Sequence, residues 1–131
     1  MTSAGKTILV VDDDYDFRVQ LKLQLESVGY RVIEAEGDPE AREALKKSRP
    51  DLAIVDLMMD HTDAGFALSH YIKQQDATIP VILVTAVTAE TGITFDAATD
   101  EERSWVKADA LLAKPVRFEQ LQREINRLLK G

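Results

Sequence analysis

Three consecutive aspartates, Asp12, Asp13 and Asp14, follow the apolar run Thr7–Val11, and another aspartate, Asp56, closes the apolar run that begins at Leu52. Thr85 and Lys114 stand at the ends of two further apolar runs, Pro80–Val84 and Ala110–Ala113. Clustered carboxylates offer hard oxygen ligands that suit a divalent cation such as Mg²⁺. A carboxylate can also act as a nucleophile and form an aspartyl phosphate. A hydroxyl and an ammonium are donors suited to phosphoryl oxygens. The chemistry these residue types could perform together is metal-assisted phosphoryl transfer onto Asp56, provided the fold brings the four run ends to one place.

The elements that must position them can be read from the apolar pattern. The runs are short, rich in Ile, Val and Leu, and bounded by Pro, Asp or Lys, as expected of strands buried on both faces of a parallel sheet. Tyr30–Ala35 supplies a further strand. Between strands, Phe17, Leu21, Leu25 and Val28 recur at helical spacing up to Gly29, a residue suited to a left-handed helix cap. Asp38-Pro39 reads as an N-cap with proline at the first helical position, opening a helix over Ala41, Ala44 and Leu45 that ends before Pro50. Leu68, Tyr71 and Ile72 mark a third helix, and Phe118, Leu121, Ile125, Leu128 and Leu129 the last. A fourth is expected near Asp100–Lys107, inside an irregular Thr/Gly/Ala-rich segment over 86–109. The order is β-α repeated five times. Such crossovers require parallel strands, right-handed connections and helices on both sheet faces. The expected fold is therefore α/β and flavodoxin-like: a doubly wound five-stranded parallel sheet of order 2-1-3-4-5 with five helices. In this topology the first and third strands are neighbours, and ligands bind beyond the carboxyl ends of the strands. Asp12, Asp13 and Asp56 then meet in one crevice, with Thr85 and Lys114 on the same side. Carboxylates crowded in this way repel one another unless a cation neutralises them, and Mg²⁺ meets that need.

Composition narrows the function classes. A chain of 131 residues fits one domain, with residues 1–6 a disordered terminus, and a domain this size can bury a core without staples. It has no cysteine, which excludes thiol redox chemistry. A formal charge of −7 opposes direct contact with nucleic-acid backbones. The apolar runs fall well short of the roughly 18 residues needed for a membrane span, and Met1–Lys6 is too short and polar for a signal peptide. A soluble cytoplasmic protein is expected, without membrane insertion, as a monomer or weak dimer.

Each residue also has a plainer reading. Asp12 and Asp13 could simply cap the first helix, Thr85 could cap a turn, and Lys114 alone would be a solvated lysine; their matching positions at strand ends favour the joint site. His70 reads as solvent-facing, His61 as a loop residue beside the site, and Trp105 as a packing anchor. Asp12-x-Asp14-x-Asp16 superficially suggests a calcium loop, but Phe17 stands where glycine is required and Leu23 where the bidentate glutamate is required. Asp12-x-Asp14 also resembles the opening motif of haloacid-dehalogenase-type phosphatases, with Asp12 as nucleophile. Asp16 departs from that motif, and the chain has little room for a substrate-capping segment.

Four blocks in order resemble the receiver domains of two-component response regulators: Ile8-Leu9-Val10-Val11-Asp12-Asp13-Asp14, Pro50-Asp51 through Asp56-Leu57-Met58-Met59, Val84-Thr85-Ala86 and Lys114-Pro115. The resemblance spans essentially the whole chain, 1–131, as a single receiver domain with no output domain. It implies phosphorylation of Asp56 by a histidine kinase or histidine phosphotransfer protein. It implies Mg²⁺ held by Asp12, Asp13, Asp56 and the main-chain carbonyl of Met58. It also implies that Lys114 contacts the phosphoryl group, that Thr85 reorients toward it, that the Lys114-Pro115 bond is cis, and that an unknown protein target lies downstream. Such a chain catalyses its own phosphorylation and dephosphorylation, but its role is that of a signalling switch and not an enzyme. There are three departures. Asp60 replaces the usual proline four residues after the phosphorylated aspartate, and its loop is one residue longer than usual. Leu111 stands where the family usually has the aromatic partner of the threonine. The segment between Ala86 and Asp109 is extended. The first two keep a second reading in view, a receiver-like interaction module that works without phosphorylation.

Overall fold

The computed structural model describes residues 5–56, 64–85, 109–113 and 116–130, with the side chains of residues 64–66, 85 and 130 outside the description. Five strands are present: β1 (Thr7–Val11), β2 (Arg31–Ala35), β3 (Leu52–Asp56), β4 (Val81–Thr85) and β5 (Ala110–Ala113). Helices α1 (Tyr15–Ser27), α2 (Asp38–Lys47), α3 (Ala64–Gln75) and α4 (Phe118–Lys130) complete the described elements. The sheet has order β2-β1-β3-β4-β5, and every pairing is parallel. This is the doubly wound arrangement expected. The helix expected near Asp100–Lys107 lies outside the described residues, as do residues 1–4 of the N-terminus and residues 86–108 of the irregular segment. The Lys6 carbonyl accepts from the Arg31 N–H at 2.8 Å, just before β1 begins.

Alternation of side chains along each strand divides the core between the two sheet faces. Ile8 and Val10 of β1, Leu52 and Ile54 of β3, and Ile82 and Val84 of β4 pack with Leu21 and Leu25 of α1 and Leu121 and Ile125 of α4. Leu9, Val11, Ala53, Val55, Val81 and Leu83 belong to the opposite cluster, with Ala41 of α2 and Leu68 and Ile72 of α3. All five residues of β3 are buried, as suits the central strand.

Local chemistry sets the element ends. Helix α1 starts at an N-cap formed by Asp14, whose Oδ1 accepts from the Phe17 N–H at 3.2 Å. The capping role considered for Asp12 and Asp13 thus belongs to their neighbour, leaving those two for the crevice. At the other end the Tyr30 N–H donates to the Leu25 carbonyl at 3.2 Å and the Gly29 N–H to the Glu26 carbonyl at 3.1 Å, with Gly29 at φ 103°. That is a Schellman closure, and it requires the left-handed residue that glycine provides. The reading of Asp38 as an N-cap is corrected: Gly37 is the cap and Asp38 is the first helical residue. Its carboxylate pairs instead with Arg42 one turn later, an i,i+4 ion pair on the helix surface.

Candidate functional site

The crevice is built by the adjacency of β1 and β3. Val11 pairs with Val55, so the residues that follow each of them, Asp12 and Asp56, leave the sheet side by side. Asp56 is the last residue of β3, is paired with Val84 of β4 and is only 5% exposed. By strand alternation it shares a face with Leu52 and Ile54, placing a carboxylate where the next apolar side chain would otherwise lie. Asp12 is 1% exposed and Asp13 is exposed at the rim.

Asp12 is held firmly. Its N–H donates to the Ala35 carbonyl at 3.1 Å, which extends the β1–β2 pairing by one bond. Its Oδ1 accepts from the Asp14 N–H at 2.8 Å, closing a short turn that presents Asp13 to solvent. Its carbonyl accepts from Arg18 Nη1 at 2.7 Å. One carboxylate oxygen from each of Asp12, Asp13 and Asp56 lies within 4.8 Å of the others. The donor set is all oxygen, two of its members are buried, and it contains neither imidazole nor thiolate. That composition suits a small hard cation that keeps part of its water shell, as Mg²⁺ does.

Of the other residues singled out in the sequence, Thr85 ends β4 opposite Ala113 of β5, which places both strand ends on the same side as Asp56. The Thr85 side chain lies outside the described residues, as do Lys114, Pro115, Met58, Asp60, His61 and Trp105. His70 is half-buried on α3, so it is less open to solvent than its sequence context implies. Leu111 is partly buried and packs against the core cluster on the α2–α3 face.

Arg18 escaped the sequence reading. It is 6% exposed, and besides the Asp12 carbonyl it binds Glu34 of β2, from Nε to Oε1 at 3.1 Å. A signal was available: Arg18 lies three residues before Leu21 and seven before Leu25, within the stripe that α1 buries. A charge inside an apolar stripe requires partners, and here they lie beside the acidic turn.

The site sits in a chain with clear relatives. The sequence profile of the response regulator receiver domain matches residues 8–126. Transcriptional regulatory protein GltR from Pseudomonas aeruginosa is 33% identical over 99% of this chain and 51% of its own length. The chain spans about half or less of the length of the curated relatives it matches first, from 36% to 51%. Among solved structures, response regulator protein TrrA from Thermotoga maritima, in complex with Mg²⁺–BeF, is 29% identical with a TM-score of 0.76, over 94% of this chain and 98% of that one. The signal receiver domain of a signal transduction histidine kinase from Syntrophus aciditrophicus is 35% identical with a TM-score of 0.79, over 97% and 92% respectively. No helix among the described residues is long and apolar enough to cross a membrane. Strand order, an acidic crevice at the strand ends and a matched profile lead to one assignment: the chain belongs to the response regulator receiver domain family of two-component signalling systems.

Proposed function

We propose that Asp56 is the phosphoryl acceptor of a Mg²⁺-dependent switch in the cytoplasm, charged by a histidine kinase or a histidine phosphotransfer protein. The observation that carries this reading is the convergence of Asp12, Asp13 and Asp56 to within 4.8 Å at the ends of adjacent strands. Asp12 and Asp13 hold the cation together with Asp56 and the Met58 carbonyl. Bound there, Mg²⁺ supplies neutralisation of the charge that builds on the transferring phosphoryl oxygens. An Asp56 oxygen attacks phosphorus, the bond from phosphorus to the donor's imidazole nitrogen breaks, and the departing imidazole takes up a proton. Lys114 pairs with a phosphoryl oxygen and Thr85 donates a hydrogen bond to another. Attack of water on the acyl phosphate later returns the carboxylate and inorganic phosphate. TrrA, solved with Mg²⁺–BeF, supports the metal assignment by likeness.

A second reading, an interaction module that works without phosphorylation, is favoured by Leu111, which packs into the core in place of the usual aromatic. Intact mass after incubation with Mg²⁺ and acetyl phosphate, together with a Mg²⁺ titration, separates the two. The switch reading expects one added phosphoryl group that requires Mg²⁺ and is absent from Asp56→Ala. Absence of both labelling and Mg²⁺ binding in the native chain would overturn it in favour of the second.

A further inference from the structure

We propose that Arg18 is a positioning residue for the Asp12–Asp13 turn, fixing through the Asp12 carbonyl the geometry on which Mg²⁺ affinity depends; this rests on the metal reading above. Arginine is rarely buried unless its donors are used. Those of Arg18 reach from α1 across the end of β1 to β2. Nη1 binds the Asp12 carbonyl at 2.7 Å, Nε binds Glu34 Oε1 at 3.1 Å, and the guanidinium carbon lies 5.4 Å from the centre of the Tyr15 ring. Lys22 reaches the second Glu34 oxygen at 3.5 Å and so helps to fix the carboxylate that holds Arg18.

The effect on the site follows from the planarity of the peptide. The Asp12 carbonyl and the Asp13 N–H belong to one rigid unit, so a donor that fixes the carbonyl also fixes the direction in which Asp13 leaves the strand. The N–H and the Oδ1 of Asp12 are held separately, by Ala35 and Asp14. Arg18 thus governs the part of the turn that sets Asp13 relative to Asp12. The planar guanidinium holds its two partners at once in fixed relative positions, which an ammonium cannot reproduce.

The test is Mg²⁺ titration calorimetry on the native chain, Arg18→Met, Arg18→Lys and Glu34→Gln, each below a melting temperature located by circular dichroism. Methionine keeps much of the buried volume and removes every donor. Arg18→Met is expected to weaken Mg²⁺ binding by roughly 10- to 100-fold, the range for loss of a partner that orients a metal ligand. Arg18→Lys should recover part of the loss, and Glu34→Gln should weaken binding less than Arg18→Met. A purely structural arginine would lower the melting temperature and leave the affinity of the folded protein unchanged; a Kd within about twofold of native in Arg18→Met overturns the proposal. Should Arg18→Met fail to fold, Glu34→Gln decides, with weaker binding in support and native affinity against. Native protein that binds no Mg²⁺ refutes the metal reading itself, whereas normal native binding with unaffected variants refutes this inference alone.

Discussion

Asp13 differs from its two companions in being exposed, and that difference allows its proposed metal-binding role to be separated from any role in folding. Asp12 is buried and organises the turn through Asp14, and Asp56 is buried at the end of the central strand. Replacing Asp13 with asparagine changes one charge at the rim, and an exposed change of this kind usually moves stability by no more than about 0.5 kcal/mol. With the cation the balance changes. A ligand present at 100 times its Kd stabilises the folded state by about 2.7 kcal/mol. A tenfold loss of affinity would remove about 1.4 kcal/mol from that gain. Urea unfolding of native protein and Asp13→Asn should therefore place the variant level with or slightly above native in chelator, where one crowding charge is gone, and below native in Mg²⁺. A difference of the same size in both media would assign Asp13 a structural role instead. At this scale the sequence was informative where a residue type was unusual for its place: a carboxylate ending an apolar strand is costly to bury unless it meets a cation or a donor. It was silent where a residue acts through its backbone, as when Arg18 reaches the Asp12 carbonyl, because a main-chain acceptor leaves no mark in the sequence.

At the scale of elements, interiors were legible because burial marks them, as short unbroken apolar runs along β1 and β3, which are covered on both faces, and as a period of three to four along α1 and α4. Boundaries were less so. Asp38 carries the composition of an N-cap, yet the helix begins one residue earlier than that reading requires, and Asp38 is used in an ion pair with Arg42. Gly29 was legible because no other residue type enters the left-handed region at so little cost. Its place in the Schellman closure carries a consequence for stability. Gly29 at φ 103° allows Tyr30 to turn back so that its N–H meets the Leu25 carbonyl and its ring joins Leu25 in the core. Gly29→Ala introduces a Cβ into that left-handed conformation and should cost about 1–2 kcal/mol. The measurement is the urea midpoint of the variant against native. Unfolding at the native midpoint would mean that the α1–β2 connection can close in another backbone conformation. The acidic crevice lies at the opposite end of α1, so Mg²⁺ affinity in the folded variant should stay at the native value.

Across the whole molecule the two ends of the sheet use carboxylates in opposite ways. At the carboxyl ends of β1 and β3, Asp12, Asp13 and Asp56 are crowded together. At the amino ends, carboxylates are matched with donors that fasten strand starts and loops. Asp51 Oδ2 accepts from the Thr7 N–H at 2.8 Å, and Asp109 Oδ2 accepts from both the Val81 N–H and Lys73 Nζ at 2.8 Å. Asp76, just after α3, accepts from the Thr78 hydroxyl and from Arg49 Nε, each at 2.5 Å, and from the Thr78 N–H at 2.9 Å. The hydrogen bond from Thr78, seconded by that from Arg49, holds the Asp76 carboxyl down from 3.8 to about 2. A carboxylate whose folded value is depressed contributes stability that is fully present above its unfolded value, near 4, and is lost as pH falls through the folded value. The window for Asp76 is therefore between about pH 4 and pH 2. Asp76→Asn keeps an acceptor for Thr78 but has no charge to lose. Its urea midpoint should lie below native at pH 5, and the gap should narrow steadily until the two chains converge near pH 2. Because Asp76 and Arg49 are at the surface, added salt should narrow the gap at pH 5 as well. A gap unchanged from pH 5 to pH 2 would show that the contribution of Asp76 lies in its hydrogen-bond geometry and not in its charge. Acid therefore loosens the loop that Asp76 fastens near the amino end of the sheet, and Asp76→Asn isolates that loss because its charge is already absent.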